Sequence, residues 1–102
     1  YKQTPQLDFE RLAQIRQATD TPLVLHGGSG IPDDQLQKAF SMGIHKFNLG
    51  TDYLRNYFQA VKAFTQEYDT VHDPVKIIEM PEYVQGKLQP YIENRLKTLC
   101  RF

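Results

Sequence analysis

His26 follows the apolar run Leu23-Val24-Leu25 and leads directly into Gly27-Gly28-Ser29-Gly30. An imidazole in that position can give one nitrogen to a metal while a neighbouring carbonyl or carboxylate orients the other. The glycines permit left-handed backbone angles and a close approach of the chain to a ligand. Bare N–H groups at the start of the following helix then favour an anion. Ordinary readings stand beside both: a hydrogen-bonded histidine at a strand end, and a flexible turn. The spacing of the glycines departs from the Walker and the dinucleotide fingerprints, so neither nucleotide motif applies. A second polar stretch, Asn48-Leu49-Gly50-Thr51, lies at the end of the next strand candidate and adds side-chain donors. With the two strands as neighbours, both end loops converge on one anion, with backbone amides and the Ser29 and Thr51 hydroxyls as donors. His45 at a strand start and His72 in a polar break read as solvated side chains.

These positions depend on the elements that carry them. Asp8 before Phe9, Leu12 and Ile15 predicts a short amphipathic helix capped by the aspartate, broken at Thr19 to Pro22. Leu23 to Leu25 is short and wholly apolar, which predicts a fully buried parallel strand. Pro32 with Asp33 and Asp34 starts a second helix with Leu36, Ala39 and Phe40 on its apolar face, and Gly43 stops it as the residue past the cap. Ile44 to Leu49 reads as a second strand. From Asp52 a longer helix follows, with Tyr53, Leu54, Tyr57, Phe58, Val61, Phe64 and Tyr68 at helical spacing, a pattern that reads as core. After the break at Asp69 to Pro74, a stripe through Val84, Leu88, Tyr91, Ile92, Leu96 and Leu99 is interrupted by Pro81, Gly86 and Pro90. Helical pieces with a kink are expected there.

Helix and strand alternate, which implies a parallel sheet with crossover helices. Two strands cannot cover their own faces and edges, so the fold class is α/β and the chain reads as a segment of a larger sheet or barrel. Taken alone, it is expected to fold marginally. Twelve basic and twelve acidic residues among 102 cancel, which removes the electrostatic case for nucleic acid or an anionic membrane surface, so any anion must be held locally. No window approaches the about 20 apolar residues of a membrane span. The lone Cys100 rules out an intrachain disulfide framework and a multi-cysteine zinc module and suits a reducing, cytoplasmic location.

The run Leu23 to Pro32, followed by Gly43-Ile44, Lys46 and Asn48-Leu49-Gly50-Thr51-Asp52, closely resembles the carboxyl-terminal third of class II, zinc-dependent ketose-bisphosphate aldolases. Tyr1-Lys2 and Pro5 to Phe9 resemble the stretch after the sixth strand of that family. The resemblance covers residues 1–68, with a looser match over 69–102. It implies the carboxyl-terminal part of a (β/α)8 TIM barrel, with the last two strands and their helices in 1–68 and a carboxyl-terminal helical extension in 69–102. It further implies a lyase of carbohydrate metabolism and glycolysis that cleaves a ketose 1,6-bisphosphate reversibly to dihydroxyacetone phosphate and an aldehyde.

In that resemblance His26 matches a zinc ligand, and Gly27, Gly28 and Ser29 match the first phosphate loop. Asn48 matches the residue that contacts the bound ketose, and Leu49, Gly50 and Thr51 match the second phosphate loop. Zn2+, or another divalent metal in its place, is the implied cofactor, with a monovalent cation as accessory. The implied partners are the sugar bisphosphate, the amino-terminal part of the barrel and further copies in a homo-oligomer. The remaining zinc ligands and the proton-shuttling acid of the family precede Tyr1, so no catalytic residue is assigned in this chain, and the chain alone is expected to be inactive. Gly50 replaces the aspartate usual in many fructose-bisphosphate members, resembling tagatose-type branches and leaving the sugar open. Two other classes fit the residues: a non-catalytic phosphate-binding partner or relic of the family, and a barrel enzyme with a phosphate site and no metal.

Overall fold

The structure, a computed structural model, describes residues 4–100. Tyr1-Lys2, part of the resemblance above, lies outside the described residues. The elements follow the expected order: α1 (Phe9–Ala18), β1 (Leu23–Leu25), α2 (Asp33–Ser41), β2 (Ile44–Phe47), α3 (Thr51–Glu67), a 3-10 turn (Pro74–Glu79) and α4 (Met80–Leu99). The contacts gather into two compact units, Tyr1–Asp52 and Tyr53–Phe102. This division by contacts within the chain falls elsewhere than the boundary expected at 68/69.

In the first unit, Asp8 caps α1 by accepting from the Arg11 N–H at 2.9 Å, which satisfies one of the donors a helix start leaves open. β1 and β2 pair in parallel, with Leu23 opposite Ile44, Val24 opposite Lys46 and Leu25 opposite Phe47. The register shifts by one residue between Leu23 and Val24. Gly43 takes φ +111° just past the end of α2, the position expected of it. Ile31, Leu36, Ala39 and Ile44 are buried and form the centre of this unit. The amino-terminal segment is tied to α2 through Gln35, whose Oε1 accepts from the Leu7 N–H and whose Nε2 donates to Gln6 Oε1, both at 2.9 Å.

Burial of the first strand is weaker than expected. Leu23 and Leu25 are half-buried and Val24 is 42% exposed. An open apolar groove of about 230 Å³ runs past Leu12, Ile15, Leu23, Leu25, Ala39 and Ile44. The reason lies in the layer count: two strands and two short helices cannot cover a parallel sheet on both faces. The second strand also ends at Phe47 rather than Leu49, because Asn48 and Leu49 turn toward α3 after the Asn48 N–H donates to the Leu25 carbonyl at 3.1 Å.

In the second unit, Ala60, Val84 and Leu88 form the core, with Tyr53, Val61 and Met80 packed against it. Phe64 is fully buried, its ring 4.9 Å from that of Tyr68 and 5.3 Å from that of Tyr83 between centroids. The apolar stripe of α3 is wider than α4 can cover, and Leu54 and Phe58 remain 65% and 70% exposed. That part of the stripe is not core in this chain. The expected broken tail is instead one α-helix from Met80 to Leu99. Pro81 sits in its first turn, where a missing N–H costs nothing, and α4 continues through Pro90 inside it.

Candidate functional site

Parallel pairing places the carboxyl ends of β1 and β2 side by side, and every residue singled out for chemistry lies just past those ends. His26, exposed, is the first residue after β1, and Asn48, half-buried, is the first after β2. Asn48 Nδ2 lies 3.0 Å from His26 Nδ1, so the amide donates to the unprotonated ring nitrogen in the tautomer that carries its proton on Nε2. The ring is thereby held by a side chain of the neighbouring strand end. That tautomer leaves neither ring nitrogen free for a metal; a ligand role requires the amide turned over, with Asn48 Oδ1 accepting from Nδ1–H and Nε2 free.

The glycine-rich loop is shaped by two left-handed residues, Gly27 at φ 65° and Gly30 at φ 82°, angles that a side chain resists. The Ile31 N–H donates to the Gly28 carbonyl at 3.2 Å and closes the loop ahead of α2. Ser29 is 6% exposed, the one buried polar side chain among the described residues. Its Oγ accepts from the Asp52 N–H at 3.1 Å. That N–H belongs to the first turn of α3, where donors lack intrahelical partners and the helix dipole is positive. A hydroxyl that accepts from one loop keeps its own hydrogen to donate, so Ser29 both caps α3 and offers a donor to an anion.

The expected site residues therefore meet in two places. His26 joins Asn48, and Ser29 joins the start of the helix that Thr51 opens. Leu49 is half-buried and carries the chain across, while Gly50 and Thr51 stand exposed at the helix entrance. A Cβ added at Gly50 would meet open space. The structure adds Phe47 and Asp52 to the set. Phe47 packs its ring against Gly28 and stands edge-on to Phe40 at 6.1 Å, and Asp52 supplies the backbone donor to Ser29. Neither is legible from residue type, since one looks like sheet core and the other like a helix-start acid.

His45 is exposed on β2, and exposed His72 bonds Asp69 in the turn after α3, so both keep their solvated reading. The Asp69 carboxyl is held below the usual aspartate range, mainly by the His72 backbone N–H, then by the His72 ring and the Val71 N–H. Among the described residues no group of three or more His, Cys, Asp or Glu side chains is placed to hold a metal. His26, exposed beside Asn48, offers one corner of a zinc site at most, and a protein zinc site needs three or four ligands.

The chain matches the family described as class-II fructose-bisphosphate aldolase over residues 1–100. Its fold is similar to the crystal structure of the YdjI aldolase from Escherichia coli K12, with 32% sequence identity and a TM-score of 0.77, over 94% of this chain and 34% of that one. The chain thus spans about a third of the length of that aldolase. A match that runs through both strand ends and nearly the whole of the described chain places this protein in the class-II fructose-bisphosphate aldolase family.

Proposed function

We propose that this chain is the carboxyl-terminal part of a (β/α)8-barrel aldolase, residues 1–68 supplying the last two strands with their helices and residues 69–102 a helical extension. The reaction is reversible aldol cleavage of a ketose 1,6-bisphosphate, of fructose or tagatose type, to dihydroxyacetone phosphate and an aldehyde phosphate. The observation that carries the proposal is the 3.0 Å contact of Asn48 Nδ2 with His26 Nδ1, which brings the metal-ligand candidate and the substrate-contact candidate into one place. Active sites of barrel enzymes lie at this end of the strands, with phosphate bound by the loops after the last two.

In this reading His26 would give Nε2 to the zinc and carry its proton on Nδ1, held by Asn48 with Oδ1 turned toward the ring, and Asn48 would also face the substrate. Bound zinc acts as a Lewis acid that polarises the substrate ketone. The chain's own part is binding and orientation. Backbone N–H groups of Gly27 and Gly28 and the Ser29 hydroxyl receive one phosphate from the first loop, and Leu49, Gly50 and Thr51, which opens α3, receive it from the second. The remaining zinc ligands and the acid that moves the proton belong to the part of the barrel outside this chain.

The test uses the full-length protein that contains this segment. Zinc content and cleavage of fructose 1,6-bisphosphate and tagatose 1,6-bisphosphate are measured for the wild type and for His26→Ala. The expected result is cleavage of one sugar by the wild type, with both zinc and activity lost in the variant. A folded, zinc-loaded protein that cleaves neither sugar refutes the enzyme reading. Dihydroxyacetone phosphate binding that ignores zinc then points to a phosphate-binding relic, and cleavage that survives His26→Ala points to a metal-free enzyme.

A further inference from the structure

Gly27 and Gly30 adopt left-handed angles, but Gly28 does not, so backbone conformation gives no reason for a glycine at 28. Space gives one. A Cβ built on Gly28 would overlap the Phe47 ring, with Cε2, Cζ and Cδ2 as the nearest atoms. Gly28 is buried, and the ring that occupies this space is itself held by Phe40, edge-on at 6.1 Å between centroids and 81° between planes. Phe47 is also the last residue of β2, paired with Leu25 directly before His26.

From this packing we infer that Phe47 is a positioning residue for the phosphate site, a plate from the second strand against which the Gly27–Ser29 loop is laid. The inference deepens the proposed function and rests on reading that loop as a phosphate cradle. The plate acts at a distance: it touches no phosphate, and it fixes how far the loop's N–H groups stand from the start of α3. Hydrogen bonds to an anion weaken steeply when donors are displaced, so a loop raised by the width of a methyl group binds phosphate poorly although every donor is still present. Alanine at 28 keeps its N–H and has no conformational objection, which isolates the steric effect.

The experiment compares wild type, Gly28→Ala, Phe47→Leu and the double variant in the full-length zinc-loaded protein. Affinity for inorganic phosphate and dihydroxyacetone phosphate, the thermal transition, and KM against kcat for the sugar bisphosphate are measured. Gly28→Ala is expected to weaken both ligands about ten-fold or more, the usual scale for overpacking a filled site. Leucine at 47 lacks the ε and ζ atoms, so the double variant recovers most of that loss. Phe47→Leu alone raises KM with kcat nearly unchanged, and this split decides the matter if Gly28→Ala does not fold. Gly28→Ala binding both ligands as wild type does, or a loss that leucine at 47 leaves unrelieved, overturns the positioning role while the phosphate site stands. A wild type that binds neither ligand overturns the cradle and the positioning role together, even where leucine at 47 restores the thermal transition of Gly28→Ala.

Discussion

Replacing Ser29 by alanine removes the acceptor of the Asp52 N–H and a donor to the proposed phosphate in one step, and the two losses can be separated. The capping part follows from the 3.1 Å bond and the 6% exposure of Ser29. Loss of a capping hydroxyl costs about 1 kcal/mol, and a buried donor shut off from water raises that toward about 2 kcal/mol. It appears with no ligand present, as a fall of a few degrees in the thermal midpoint. The ligand part appears only with phosphate. A hydrogen bond to a charged group contributes roughly 1.5–3 kcal/mol, so the dissociation constant for dihydroxyacetone phosphate rises about ten- to hundred-fold. Each ten-fold removes about 1.4 kcal/mol from the stabilisation seen at a fixed saturating ligand concentration. The assay is therefore the thermal midpoint of full-length wild type and Ser29→Ala over a range of ligand concentration. A lower ligand-free midpoint with unchanged ligand dependence leaves Ser29 as a cap alone. An unchanged midpoint at every concentration refutes the reasoning for both roles.

Asn48→Ala should weaken zinc binding about ten- to hundred-fold, the usual effect of losing the partner that orients a metal-bound imidazole, measured by competition with a chromophoric chelator. Gly86→Ala in α4 meets open space and should stabilise the protein by about 0.5–1 kcal/mol, read from denaturant midpoints. Asp69 has a folded pKa below its unfolded one, so its bonds to His72 and Val71 contribute fully above the ordinary aspartate range and are lost as pH falls through the depressed value. Protection of the Val71 and His72 amides relative to their intrinsic exchange rates should fall on that acid side in the wild type, and Asp69→Asn should abolish that change. Tyr83 donates to Glu67 Oε2 at 2.9 Å, a bond that, with burial, raises the phenol above its ordinary range. Its contribution is complete below the unfolded pKa and lost as pH rises through the folded one, so Tyr83→Phe should flatten the alkaline end of the stability curve.

Local chemistry was legible because it is written in adjacent residues. Asp8 caps α1, Gly43 ends α2, and the two polar strand ends stand where parallel pairing requires them. Features that depend on the neighbours outside a segment were less so. Leu54, Phe58 and Val24 carry a pattern made for burial, yet this chain holds too few layers to cover them. Pro81 and Pro90 look like breaks, yet one sits in a first turn and α4 runs through the other.

The least legible feature decides the site. Leu23 pairs with Ile44, 21 residues on, but after the one-residue shift Val24 and Leu25 pair with Lys46 and Phe47, 22 residues on. Extended past the strand ends, the shifted register sets Asn48 beside His26, and the 3.0 Å contact between them is the result. Without the shift, Phe47 would lie opposite His26, and the ring that backs Gly28 would occupy the place of the amide that holds the imidazole. In strands, one residue of slip also turns each side chain to the other face, so the two alternatives differ in which groups reach the site as well as in spacing. Residue types along β1 and β2 do not distinguish them, since both runs are short and the hydrophobic pattern that pins register in longer strands has little length to act on here. The site chemistry of this chain therefore rests on a backbone irregularity at Leu23 and Val24, two residues that carry no chemistry themselves.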